Sequence, residues 1–150
     1  MASVRRSAHS AKVVAWCTEH IPQWVELGVT KAQLGIHIVT GGLSNLIDRV
    51  CIEDDTLRAA AASAGAPHTV LIRTFRTDEN LTDPDAEQTI FEACDRAGIA
   101  PRMYAVDRGG LGVRAEEFIE GTTMSLSQLR SLDFELRAAP MIAQLHSVKV

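Results

Sequence analysis

The apolar positions of this chain change period along its length. From Ser10 they recur at helical spacing through Val13, Val14, Trp16, Cys17, His20, Ile21 and Trp24, with Pro22 near the end. That pattern predicts a helix over about 10–20 followed by a turn, anchored by its two tryptophans onto the body of the fold or onto another subunit. Residues 1–9 ahead of it are polar and are expected to form a flexible N-terminus. The period then shortens. Two apolar runs, 35–39 and 46–52, predict strands on either side of Thr40-Gly41-Gly42-Leu43-Ser44-Asn45, where paired glycines allow positive φ and close backbone approach.

Residues 54–67 are rich in Ala, Ser and Gly, and read as a surface excursion with at most a poorly formed helix. The run 68–75 is β-branched and apolar except for Arg73, which by alternation shares a face with Leu71 and Phe75. Asp83-Pro84 supplies a helix cap and first turn; the helix is expected to run to about Arg96 and stop at Gly98, with Ile90, Phe91, Cys94 and Ala97 as its buried stripe and Glu87 at the border. Residues 102–106 and 112–119 flank Asp107-Arg108-Gly109-Gly110, a hairpin turn. From Phe134 the positions Ala138, Met141, Ile142, Leu145 and Val148 predict a closing helix that Pro140 begins or kinks. The fold class that follows is α+β in a single domain: a five-stranded antiparallel sheet with an inserted helix, an N-terminal helix and a C-terminal closing helix.

Composition narrows the chemistry. With 150 residues, 46% hydrophobic content and a net charge of −4, the chain does not look like a nucleic-acid or anionic-membrane binder. No apolar run approaches the roughly 18 residues of a membrane span, and a cytoplasmic protein is expected. Cys17, Cys51 and Cys94 form no CxxC pair, and the five histidines form no HxH or HExxH spacing, so no protein-built metal site is expected.

The remaining polar residues fall in an informative order. Strand, glycine loop, strand, a basic residue on the third strand and an acid on the next helix is the order of a kinase small lobe: the loop covers phosphates, the cation holds them and the helix acid fixes the cation. The glycine loop is neither a Walker loop, which carries GK[ST] into a helix, nor a GxGxxG dinucleotide fingerprint. Each segment alone also admits a plainer reading: a hairpin turn, a snorkelling arginine, an acid near a helix dipole.

Taken together, Trp16-Cys17, Trp24, Gly41-Gly42-Leu43-Ser44-Asn45-Leu46, Val70-Leu71-Ile72-Arg73, Glu87 with Phe91, 100–104, 114–119 and 142–146 resemble, in order, the N-terminal lobe of choline and ethanolamine kinases. The resemblance implies a protein-kinase-like small lobe over 10–150 that binds ATP, with Gly41, Gly42, Ser44 and Asn45 over the phosphates. Arg73 would be the phosphate cation and Glu87 its helix partner, and Glu117, Phe118 and Ile119 the hinge against adenine. It implies phosphorylation of a small amino alcohol, the first step of phosphatidylcholine or phosphatidylethanolamine synthesis, with Mg²⁺ as cofactor and a homodimer as a candidate assembly. The sequence departs from the family pattern at Glu117, where glutamine is frequent, and at Arg76, which follows Phe75 in place of a glycine. No catalytic aspartate loop or metal-binding acidic motif follows His146, and Leu132-Asp133-Phe134-Glu135 precedes the last helix and reads as a decoy. The expectation is therefore a nucleotide-binding lobe without its C-terminal catalytic lobe, inactive alone, with the apolar faces of the hinge strand and last helix exposed. Two other readings stay open: another phosphotransferase of the same fold, such as the aminoglycoside type, and a non-catalytic binding or assembly module.

Overall fold

The computed structural model describes residues 2–39, 46–75, 83–107 and 109–149, and the side chains of these except residues 2–7 and Pro84. The chain divides into two units, one made of residues 1–80 and 103–118, the other of 81–102 and 119–150.

The first unit holds a five-stranded antiparallel sheet: β1 (Leu34–Val39), β2 (Leu46–Ile52), β3 (Thr69–Thr74), β4 (Met103–Asp107) and β5 (Val113–Glu117). Its spatial order is β1-β2-β3-β5-β4, so β5 lies inside the sheet and β4 at its edge. Alternation gives each strand two unlike faces. One face carries Val50, Ile52, Val70, Ile72, Val113 and Ala115, which join Val13, Trp16, Cys17, Ile21, Trp24 and Val29 in one buried core. The opposite face carries Arg73, Arg114 and Glu116, placed together because Arg73 pairs with Arg114 and Leu71 with Glu116 in the β3–β5 register.

The N-terminal residues supply the apolar cover of this sheet. Helix α1 (Ala2–His20) begins eight residues before the Ser10 expected from periodicity. Ala, Arg and Lys are strong helix formers, and neither Gly nor Pro interrupts 2–20. His9 ties this early part of the helix to the sheet, with Nε2 3.2 Å from Thr74 Oγ1 and 3.9 Å from Asp48 Oδ2. Helix α2 (Pro22–Glu26) then buries Trp24, whose Nε1–H donates to the Pro67 carbonyl at 2.7 Å. Both tryptophans are thus anchors onto the body of the fold.

Residues 54–67, expected as an excursion, contain a regular helix, α3 (Asp55–Ser63). The Asp54 carboxylate accepts from Leu57 N at 2.8 Å, and Ala61 is fully buried, so a cap and small residues suffice where large apolar ones are few. Two helices are therefore inserted between strands, α3 and α4 (Pro84–Arg96), rather than one.

The second unit contains α4, α5 (Leu126–Leu129) and α6 (Leu132–His146). Asp83 caps α4 as predicted, accepting from Asp85 N and Ala86 N, and Gly98 follows its end at φ +69°. The buried stripe is rotated from the expected one. Gln88, Ala93 and Cys94 are buried, Phe91 is half-buried, and Ile90 and Ala97 are exposed. Gln88 tolerates burial because its Nε2 donates to Glu92 Oε1 at 2.9 Å. Pro140 sits inside α6 rather than at its start, and 132–135 form the first turn of that helix, capped by Ser131. Helix α6 has no buried residue, and Leu132, Leu136, Met141, Ile142 and Leu145 are all exposed. The last helix is thus as exposed as expected. The hinge strand is mixed: 113–116 are buried on both faces because β5 is an inner strand, whereas Ile119 just beyond it is exposed.

Candidate functional site

The polar face of the sheet holds the densest charge arrangement among the described residues. Glu116 Oε1 accepts from Arg73 Nε at 2.9 Å and from Arg114 Nε at 2.8 Å. Arg114 and Glu116 are almost fully buried, whereas the Arg73 side chain is 28% exposed. The Arg114 guanidinium also lies over the Phe75 ring, 5.2 Å from its centroid. One oxygen thus holds two planar cations in fixed orientation, and of the two it is Arg73 that reaches solvent. A guanidinium fixed this way suits recognition of a phosphate or carboxylate, since its fork carries five donors and Glu116 engages only Nε–H.

Arg49, on β2, borders this cluster. It pairs with Leu71 in the β2–β3 register, its guanidinium lies 5.6 Å from the Phe118 centroid, and its buried Nε has no hydrogen-bond partner among the described residues. Phe118 is half-buried directly after β5, Glu117 ends that strand exposed, and Ile119 beyond it is 65% exposed. The chain passes from the first unit to the second between Phe118 and Ile119.

Of the residues expected to act together, Arg73, Glu117 and Phe118 lie in the sheet unit, while Glu87 lies half-buried in the first turn of α4 and Ile119 opens the return of the chain to the second unit. Gly41, Gly42, Ser44 and Asn45 lie outside the described residues. Sequence reasoning missed Glu116, Arg114 and Arg49. A signal existed for the first two: Arg114 and Glu116 stand at i and i+2, so one strand face is charged while its other face carries Val113 and Ala115.

A cleft of about 390 Å³ lies in the second unit between Ala93, Arg96 and Ala97 of α4 and Gln144, Ser147 and Lys149. It is open and contains no buried charged side chain, which makes it a weaker candidate for chemistry than the arginine pair.

Comparison with known proteins agrees with the sheet geometry. The profile of the family described as Choline/ethanolamine kinase matches residues 36–150. Choline kinase A2 of Caenorhabditis elegans is 24% identical over 117 residues, 78% of this chain and 26% of that protein. Choline kinase alpha of Mus musculus is 22% identical over an alignment of 156 positions, covering 90% of this chain and 32% of the mouse protein. Among solved structures, a choline kinase from Cryptosporidium parvum Iowa II superposes with a TM-score of 0.67 at 21% identity, over 88% of this chain and 33% of its own. A Plasmodium vivax ethanolamine kinase superposes with a TM-score of 0.61 at 22% identity, over 78% and 28%. The fold is shared with these kinases, and the chain spans about a quarter to a third of the length of the relatives it matches.

Proposed function

From its membership of the choline/ethanolamine kinase family, to which the chain belongs, we propose that its sheet unit binds the phosphates of ATP through Arg73. The observation that carries this reading is the Arg73–Glu116–Arg114 arrangement. A carboxylate shared with a second arginine fixes Arg73 without belonging to it alone, so the guanidinium is held in place for an incoming anion. In this reading Gly41, Gly42, Ser44 and Asn45 close over the phosphates, Glu87 is the acid that the α4 helix offers, and Glu117, Phe118 and Ile119 present backbone groups to the adenine edge. The Phe118 ring, with Arg49 over it, supplies a flat apolar surface beside that edge.

The reaction proposed for the whole protein is transfer of the ATP γ-phosphate to the hydroxyl of choline, ethanolamine or a related amino alcohol, in the cytoplasm, as the entry to phospholipid headgroup synthesis. The family's Mg²⁺ needs an all-oxygen ligand set. Among the described residues the only group of three His, Cys, Asp or Glu side chains close enough to hold an ion is His37, Cys51 and Glu53, whose nitrogen and sulfur do not fit that requirement. That group among the described residues therefore does not suit Mg²⁺. In this reading the catalytic base and metal ligands are not among residues 1–150, and the chain alone binds nucleotide without turning it over.

The test is calorimetric titration of the 150-residue chain with ATP, beside Arg73→Ala. Loss of a charge-assisted contact of about 1.5–3 kcal/mol corresponds to affinity at least about tenfold weaker in the variant. Equal affinity in the two proteins, or no binding by either, overturns the reading. Phosphocholine production by the pure chain would overturn the assignment of the base elsewhere.

A further inference from the structure

No spacing motif links His37 to Cys51 or Glu53, yet the β1–β2 ladder makes them neighbours. Cys51 pairs with Gly35, two residues before His37, so the two side chains stand on one face of the hairpin as diagonal neighbours. Glu53 follows β2 directly, and its backbone N–H donates to the Gln33 carbonyl at 2.8 Å, which keeps the strand extension alongside β1. By alternation Glu53 shares the face of Cys51. A nitrogen, a sulfur and an oxygen from these three side chains all lie within 4.8 Å of one another.

Gly35 explains how the carboxylate enters this group. A Cβ built there would stand 2.7 Å from Glu53 Cδ and collide with Oε1. The Glu53 side chain therefore folds back over the strand, into the space a side chain at Gly35 would fill, instead of extending into solvent. His37 and Glu53 are exposed and Cys51 half-buried, which leaves a path for an ion.

We propose that His37, Cys51 and Glu53 form a divalent transition-metal site, preferring zinc, with solvent completing the coordination. Imidazole nitrogen, thiolate sulfur and carboxylate oxygen are zinc's donor set, and three protein ligands leave an open fourth position. On binding, the Cys51 S–H bond breaks, its proton passes to solvent and a sulfur–metal bond forms; the metal keeps its oxidation state. A metal there staples the end of the β1–β2 hairpin remote from residues 40–45. The site differs in ligand chemistry from the Arg73 cluster, and although His37 faces Arg49 across the β1–β2 ladder, metal uptake is read without ATP, so its failure and that of the nucleotide reading are distinguishable.

The experiment treats the full chain with chelator, then titrates it with Co²⁺ alone, followed by Zn²⁺ in competition. One equivalent of cobalt is expected, with thiolate-to-metal charge-transfer absorption in the near ultraviolet that Cys51→Ser abolishes. His37→Ala and Glu53→Gln should each weaken zinc by at least about tenfold, the minimum for loss of a direct ligand given what outer partners contribute. On the unaltered chain, zinc alone should slow alkylation of Cys51, located by peptide mapping, and leave Cys17 and Cys94 unchanged. Charge-transfer absorption that survives Cys51→Ser, zinc affinity unchanged in His37→Ala, or absence of uptake overturns the site. If the variants do not fold, unprotected Cys51 in the unaltered chain overturns it by itself.

Discussion

Arg73 and Glu116, 43 residues apart in sequence, meet at 2.9 Å because β5 inserts between β3 and β4. Glu116 serves Arg114 with the same oxygen, and the two arginines differ in what they would lose. Glu116→Gln removes the carboxylate from a buried arginine and is expected to destabilise the chain by on the order of 3 kcal/mol. Arg73→Ala, at a partly exposed end of the arrangement, is expected to cost no more than about 1 kcal/mol. Urea unfolding of the two variants checks the order; equal costs would mean that Glu116 is not organised around Arg114.

The Trp24 indole is fully buried and also donates to Pro67. Trp24→Phe keeps most of the apolar volume but strands the Pro67 carbonyl, a loss of about 1–3 kcal/mol. Trp24→Ala adds a cavity and is expected to cost about 3–5 kcal/mol. Thermal melts should rank the variants in that order, and a Phe variant as damaged as the Ala variant would remove the hydrogen bond from the account.

Burial pushes the Cys17 thiol up to about 12, with the nearby Asp48 charge adding to the rise and a backbone hydrogen bond opposing it. The folded chain keeps this thiol neutral where the unfolded chain ionises it. The contribution to stability is therefore complete below the usual thiol value of 9.0 and is lost as pH rises towards 12. Within that window stability should fall by about 1.4 kcal/mol per pH unit from this group, and Cys17→Ala should flatten the slope. Thiol reagents at neutral pH should label half-buried Cys51 well before buried Cys17.

Asp107 behaves in the opposite sense. Its carboxylate accepts from Leu111 N at 2.7 Å, Gly110 N at 2.8 Å and Gly109 N at 3.0 Å, and these bonds hold its pKa below the ordinary carboxylate range. Its support of the β4–β5 connection is present above the unfolded carboxylate value and fades as pH falls through the lowered one. Asp107→Ala should cost about 1 kcal/mol at neutral pH and progressively less in acid, which acid and neutral urea titrations would reveal.

The strands were legible because β2 and β3 are short apolar runs rich in β-branched residues and β4 and β5 flank a Gly-Gly turn, and Asp83-Pro84 and Gly98 mark α4 at both ends. Helix α3 was not, since its one large apolar residue, Leu57, gives no periodicity and the helix rests on the Asp54 cap. The stripe of α4 was misplaced because Gln88 is buried through an internal hydrogen bond that no hydropathy scale registers. At the candidate site the cation Arg73 could be picked out from its strand. Its pairing with Glu116 could not be read, because adjacency of β3 and β5 is a property of sheet order. The trio at His37 escaped for the same reason: its spacing exists across a ladder, not along the chain.

The family profile begins at residue 36, yet Val13, Trp16, Cys17, Ile21, Trp24 and Val29, which line the apolar side of the sheet, all precede it. Anyone cutting an expression clone at that matched boundary would strip the lining from five strands and expect them to remain soluble. A clone that keeps Val13 onward retains that lining, and one that begins ahead of His9 also keeps its contacts with Thr74 and Asp48.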